Sequence, residues 1–230
     1  MTLLKRYARI DSKFKRELLL LQGTGCIWKQ CTFCDYHKDF SEAPFITNKI
    51  VLNQVSGLYH VLDIINSGSA MELDFETISY LQKIVLEKRI EEIWFEAHYL
   101  YRDTLCDFAA LFPSAQVKFR CGVESFSAKR RGLWHKGIPS SVGPEDIAKY
   151  FKGICLLIGV KGQTREEILF DIEIAKTYFE YFSVNVFCNN TAQEKRDEGL
   201  VNWFMQEIYP VLRMEPKAEI LIENTDLGVG

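Results

Sequence analysis

Glu17-Leu18-Leu19-Leu20-Leu21-Gln22-Gly23-Thr24-Gly25-Cys26-Ile27-Trp28-Lys29-Gln30-Cys31-Thr32-Phe33-Cys34-Asp35-Tyr36-His37 is the most informative stretch of this chain. Glu17–Leu21 is a short apolar run that predicts a strand. The chain leaves it through two glycines into a loop with cysteines spaced C-x4-C-x2-C. Thiolates are the soft ligands that iron–sulfur clusters and zinc both require. Three of them on one loop, Cys26, Cys31 and Cys34, can hold three corners of a cubic cluster and leave the fourth iron open. Trp28, Phe33 and Tyr36 would shield such a cluster from water, which affects its potential. The same residues admit a structural Cys3His zinc site with His37 as fourth ligand. They also admit a coincidence among free cysteines.

The wider composition narrows the setting. The chain has 230 residues, 47% hydrophobic and 26% charged, which suits a soluble globular protein with a sizeable core. The formal net charge of -3 argues against a sequence-independent grip on nucleic acid, which needs a concentrated basic surface. No run approaches the ~20 apolar residues of a membrane span. Met1 to Lys15 is basic but lacks an apolar signal region, so a cytoplasmic protein is expected. There the seven cysteines stay reduced, and an odd number with three crowded together points to metal rather than disulfides. Cys121 and Cys155 lie in apolar runs and read as small buried hydrophobes, and Cys106 reads as a helix core position. Cys188 ends a strand.

Outward from the loop, apolar runs alternate with helical patterns. Strands are predicted at Glu17–Leu21, Val61–Ile65, Glu92–Phe95, Gln116–Cys121, Gly153–Gly159, Phe182–Phe187 and Ala218–Ile222. Helices are predicted at Lys49–Tyr59, Asp74–Glu87, near Asp103–Leu111, at Thr164–Tyr178 and around Asp197–Tyr209. Alternation of this kind implies crossover units and a parallel sheet. Six or seven units fall short of an eight-fold barrel, so an open doubly wound sheet and a partial barrel both fit. In either fold ligands gather beyond the carboxyl ends of the strands. No linker or repeat divides the chain, so residues 1–230 are expected to form one α/β domain.

The loop resembles the signature of the radical S-adenosylmethionine superfamily, whose usual spacing, C-x3-C-x2-C, is one residue shorter in the first gap. Phe33 before the third cysteine is similar to the family habit. Asn66-Ser67-Gly68-Ser69 resembles the segment that binds the cosubstrate's amino group. Gly122-Val123-Glu124-Ser125 resembles the Gly-x-Glu-Ser stretch near its ribose or amino acid part, and His135-Lys136-Gly137 the Lys-Gly that follows. Leu157-Ile158-Gly159-Val160 is similar to the glycine motif near the adenine. These motifs occur in family order, each at the end of a predicted strand. The resemblance implies a partial (β/α)6 barrel and a [4Fe-4S] cluster on Cys26, Cys31 and Cys34, with His37 not a ligand. It implies S-adenosyl-L-methionine held by Asn66, Ser67, Gly68, Ser69, Glu124, Ser125 and Gly159. It implies a 5′-deoxyadenosyl radical and a one-electron donor such as flavodoxin or ferredoxin.

Further polar residues at strand ends are candidates for a small-molecule substrate: Glu96 and His98, Asn189 and Asn190, and Glu223, Asn224 and Asp226. Carboxylates accept from a guanine-like edge, and Asn pairs with an amide. Length, the widened cysteine spacing and the Glu223-Asn224-Thr225-Asp226 ending resemble the small queuine lyases. Those salvage enzymes release 7-aminomethyl-7-deazaguanine from the deazaguanine base queuine by breaking a C–N bond. No tail domain is expected after the last strand, and the final segment is expected to close the substrate pocket, with fraying as the alternative. Two rival readings stay open. One is another radical enzyme of a deazapurine or RNA, such as a 7-carboxy-7-deazaguanine synthase relative. The other is a non-enzymatic Cys3His zinc module.

Overall fold

The computed structural model of the protein describes residues 4–230. The part of the leader reading that covers residues 1–3 lies outside the described residues. Two compact units emerge. The first takes the chain up to Lys29, then Tyr36–Phe119 and Thr225–Gly230; the second takes Gln30–Asp35 and Arg120–Asn224.

In the first unit the strands are β1 (Tyr7–Ile10), β2 (Arg16–Leu21), β3 (Val61–Asn66) and β4 (Glu92–Glu96), joined by the opening residues of β5 (Gln116–Glu124). β2, β3 and β4 pair in parallel. The leucine run of β2 buries Leu18, Leu19 and Leu21, as expected of a strand covered on both faces. At its start Arg16 Nε donates to Asp63 Oδ2 on β3 at 2.7 Å, both side chains buried. β1 pairs antiparallel with β2 and was not anticipated from sequence. It has four residues and half of them face outward, so no local pattern marks it. Glu17 secures the pairing by accepting from the Tyr7 hydroxyl and from the Ser56 and Gly57 amides.

Helix α1 (Pro44–Leu52) begins earlier and ends earlier than the predicted Lys49–Tyr59. Pro44 sits at the first turn, where its missing N–H costs nothing. Helix α2 (Phe75–Glu87) starts under the Asp74 cap, whose carboxylate accepts from Thr77 N–H at 2.9 Å. The helix expected near Asp103–Leu111 is a 3-10 stretch, Tyr99–Thr104, running into the short α3 (Leu105–Ala109). Only Leu105 of α3 is buried, and Cys106 is exposed rather than in the core.

In the second unit the remainder of β5 pairs in parallel with β6 (Gly153–Ile158), β6 with β7 (Tyr181–Val186), and β7 with β8 (Ala218–Leu221). Every residue of β6 is buried, and Cys121 and Cys155 are buried as predicted. Two short helices, α4 (Ala128–Leu133) and α5 (Pro144–Ala148), were not anticipated. Helix α6 (Arg165–Tyr178) opens on the Thr164 and Glu167 capping box. Helix α7 (Glu198–Trp203) widens into a π-helical stretch, Phe204–Ile208, before α8 (Tyr209–Leu212). Pro210 explains the widening, because its ring clashes with the preceding turn and it donates no hydrogen bond. No helix among the described residues is long and apolar enough to cross a membrane.

Asp171 on α6 is buried and accepts from Phe126 N–H at 2.7 Å. Burial pushes its carboxyl up to about 6, against the opposing hydrogen bonds of Ser125 and Phe126. In the unfolded chain the group titrates near ~3.9. Between about pH 4 and 6 the folded protein therefore keeps a proton that the unfolded chain has lost, and stability falls as pH rises, by about 3 kcal/mol in all. Asp171→Asn is expected to remove this contribution. Its stability relative to the parent, from urea midpoints, should improve steadily from pH 4 to 6. A difference that does not change with pH would refute the assignment.

Candidate cluster and cosubstrate site

In the first unit, the start of the cysteine loop is organised by Glu72, a residue the sequence reading did not single out. The Ile27 amide donates to Glu72 Oε1 at 2.9 Å, and the Ser69 amide donates to Oε2 at 2.7 Å. The Tyr101 hydroxyl also donates to Oε1, at 3.1 Å. The Glu72 carbonyl accepts from the amide and the hydroxyl of Thr24. One buried carboxylate thus ties the residue after Cys26 to the Asn66–Ser69 segment. Burial, then the Glu72 charge, pushes Tyr101 up to about 12, so it stays a donor. Gly68 is required here: a Cβ would lie 1.8 Å from Glu72 Oε2 and 3.2 Å from Cys26 Cα. The spacing Ser69-x-x-Glu72 is that of a capping box and was the signal available in sequence.

The rest of that segment is equally engaged. Asn66 Nδ2 donates to the Ser69 carbonyl at 3.1 Å. The Ser67 hydroxyl donates to Asp39 Oδ2 at 3.2 Å. Asp39 is gripped by both guanidinium nitrogens of Arg6, at 3.0 and 2.6 Å, and by Gln22 Nε2 at 2.9 Å. Burial works against its charge, but the Arg6 and Gln22 hydrogen bonds win and hold its carboxyl below the usual range. Ser69 Oγ accepts from the His98 amide at 3.0 Å. The His98 ring stacks on Trp28 at 5.4 Å, and its Nδ1 accepts from Leu100 N–H at 3.1 Å, so the ring proton of the neutral form sits on Nε2. Glu96 ends β4, two residues before His98, and is half-buried.

The terminal segment packs back on the first strand. Gly230 exchanges backbone hydrogen bonds with Lys5, and Val229 is buried with Ala8, Ile10 and Leu18, with Leu227 packed alongside. Asp226 lies exposed in the turn that Gly228 N–H closes onto the Thr225 carbonyl.

In the second unit, Cys31 and Cys34 pack against an apolar wall of Phe33, Trp134, Leu157, Val160 and Phe187. Phe33 meets Trp134 edge to face at 5.5 Å, and the Thr32 amide donates to the Trp134 carbonyl at 3.1 Å. β5 continues to Glu124, beyond its predicted end, through an irregularity between Gly122 and Glu124 that re-aims the latter. Glu124, in the left-handed region at φ 66°, accepts from Lys136 Nζ at 3.0 Å, both side chains buried. Burial opposes the lysine charge. The Glu124 carboxylate, and after it the nearby Cys31, outweigh that cost and raise its pKa. The Ser125 hydroxyl accepts from Ser127 N–H at 3.1 Å and also bonds Asp171. Gly159 turns the chain at φ 82°, where a Cβ would strike Val201, and its carbonyl accepts from Asp197 N–H at 2.8 Å.

The two asparagines both bond to backbone groups of the chain. Asn189 Oδ1 accepts from Arg196 N–H at 3.0 Å. Asn190 Nδ2 donates to the Phe33 carbonyl at 2.8 Å, and its Oδ1 accepts from Ala192 N–H at 2.9 Å. Glu223 and Asn224 are exposed, with the Cys188 thiol 3.7 Å from Glu223 Oε2. Burial, then the Glu223 charge, pushes that thiol up.

Among the described residues no three His, Cys, Asp or Glu side chains are gathered to hold one metal ion. A cubic cluster asks for something different, since each thiolate binds its own iron. Three soft donors on one loop, two of them against an apolar wall, suit that group by their chemistry.

Models of protein families and curated proteins give no match to the chain. Solved structures do. The chain is similar to a queuine lyase from Clostridium spiroforme bound to SAM and queuine, with 39% identity, a TM-score of 0.94 and 99% of both chains covered. It is also similar in fold to methylornithine synthase, with 16% identity, a TM-score of 0.62, and 88% of this chain and 63% of that chain covered.

Proposed function

Because the chain belongs to the queuine lyase family of radical S-adenosylmethionine enzymes, with their α/β partial barrel, we propose that it converts queuine to 7-aminomethyl-7-deazaguanine by C–N cleavage. The observation that carries this reading is identity of 39% sustained over 99% of both chains. Of the two folds compatible with the strand pattern, membership selects the partial barrel.

Cys26, Cys31 and Cys34 would hold the [4Fe-4S] cluster. When bound, the cluster and S-adenosyl-L-methionine would supply one-electron reduction and radical hydrogen abstraction from the substrate. The chain's own residues bind and orient. The Asn66–Ser69 segment, fixed by Glu72 and Asp39, offers polar groups to the cosubstrate's amino acid part. Glu124 offers its carboxylate with Lys136 as counterion. Phe33, Trp134 and Phe187 keep water from the thiolates. Glu96, Glu223 or Asp226 would anchor the substrate's base or its secondary amine, whose protonated form a carboxylate favours. A one-electron donor such as flavodoxin or ferredoxin completes the system, and residues 1–230 act as one catalytic domain.

The test is anaerobic reconstitution with iron and sulfide, followed by S-adenosyl-L-methionine, reductant and queuine. Equal appearance of 5′-deoxyadenosine and 7-aminomethyl-7-deazaguanine is expected. Formation of 5′-deoxyadenosine with queuine left intact would exclude this substrate. Within the site, Asp226→Asn is expected to raise KM for queuine by at least about tenfold, since a hydrogen bond to a charged group contributes ~1.5–3 kcal/mol. Affinity for S-adenosyl-L-methionine should stay constant. An unchanged KM removes Asp226 from the substrate site.

A further inference from the structure

The second half of the cysteine loop is held from one side by the chain that follows β7. Asn190 Nδ2 donates to the Phe33 carbonyl at 2.8 Å. The Thr191 amide and hydroxyl both donate to Asp35 Oδ2, at 3.0 and 2.7 Å. The amides of Gln193 and Glu194 share the Thr32 carbonyl, at 3.0 and 3.1 Å, and the Thr32 hydroxyl returns a bond to Glu194 Oε1 at 2.8 Å. Thr32, Phe33 and Asp35 are the residues that surround Cys31 and Cys34 in sequence. The backbone that presents these two thiolates is therefore pinned at each intervening position. Both ends of the Asn190 amide take part in this arrangement.

We propose that residues 190–194 form a strap that positions Cys31 and Cys34 for the cluster, with Asn190, Thr191 and Glu194 as positioning residues. Groups that orient metal ligands through hydrogen bonds typically govern affinity by about 10–100-fold. Asp35 is oriented in turn by the Thr191 hydroxyl, so threonine is required there for its oxygen and not for its shape. The proposal rests on the reading that the loop carries a [4Fe-4S] cluster.

The experiment uses the full chain, reconstituted anaerobically. The rate at which an iron chelator bleaches the cluster absorbance is compared between parent, Thr191→Val, Asn190→Ala and Thr191→Ser. Loss is expected to be about tenfold faster in the first two variants. Thr191→Ser, which keeps the hydroxyl, should stay close to the parent. The electron paramagnetic resonance spectrum of the reduced cluster should broaden in Thr191→Val and return in Thr191→Ser. Glu194→Ala, at a half-buried position, removes the acceptor of the Thr32 hydroxyl and serves if Asn190→Ala does not fold. A parent that takes up no iron overturns the reading of the loop, and the strap with it. A parent that holds its cluster while Thr191→Val and Glu194→Ala lose it no faster overturns the strap alone.

Discussion

Replacing Cys26, Cys31 or Cys34 with alanine, one at a time, is expected to abolish cluster retention and turnover, while His37→Ala leaves both intact. Three thiolates satisfy three irons of a cubic cluster, and the fourth iron must stay open for the cosubstrate. Loss of a hydrogen bond behind a ligand already costs about 10–100-fold in metal affinity, so loss of the ligand itself should exceed that range. The products should vanish with the brown colour: no 5′-deoxyadenosine and no cleaved base. His37 lies on a half-exposed turn, Tyr36–Lys38, just past the loop. Iron and zinc contents measured on all four variants decide the matter. A His37→Ala protein that loses its metal as completely as Cys34→Ala would restore the Cys3His zinc site.

Lys136→Met is expected to destabilise the protein by about 3–5 kcal/mol, because it leaves the buried Glu124 carboxylate without its counterion. For a chain of this size that corresponds to a fall in Tm of roughly 10 °C. Glu124→Ala should destabilise comparably, by stranding the lysine, and should in addition weaken binding of S-adenosyl-L-methionine without loss of cluster. Replacing both residues together, Glu124→Leu with Lys136→Met, should recover most of the stability but none of the cosubstrate affinity, since apolar replacement of a whole buried pair is often close to neutral. Thermal melts and calorimetric titration on the three proteins separate the two roles. If cosubstrate affinity is unchanged in Glu124→Ala, the pair is structural only.

Much of the strand and helix pattern was legible because its causes are local. A strand buried on both faces must be an apolar run, and β2, β3 and β6 read as such. Helix α6 announced its own start through Thr164 and Glu167. Pro44 is an equally local signal for the start of α1, five residues ahead of the predicted Lys49. The π-helical widening near Pro210 was likewise readable in principle. The cysteine spacing, and the order of the glycine and serine motifs after it, were enough to point to the family before any coordinates.

What sequence alone determined is thus the alternating α/β class, the three thiolates and the strand ends at which polar residues collect, all properties of short stretches of chain. The tertiary structure decided the rest. β1 exists only through its pairing with β2 and the packing of Val229 on Ala8 and Ile10. Glu72 reaches Ile27 across 45 residues, and Asn190 reaches Phe33 across 157. Glu124 meets Lys136 only because an irregular strand end turns it there. A buried carboxylate or amide must find partners somewhere, and composition states that need. Which distant amide, hydroxyl or ammonium meets it depends on how the chain closes on itself, and no local period carries that information.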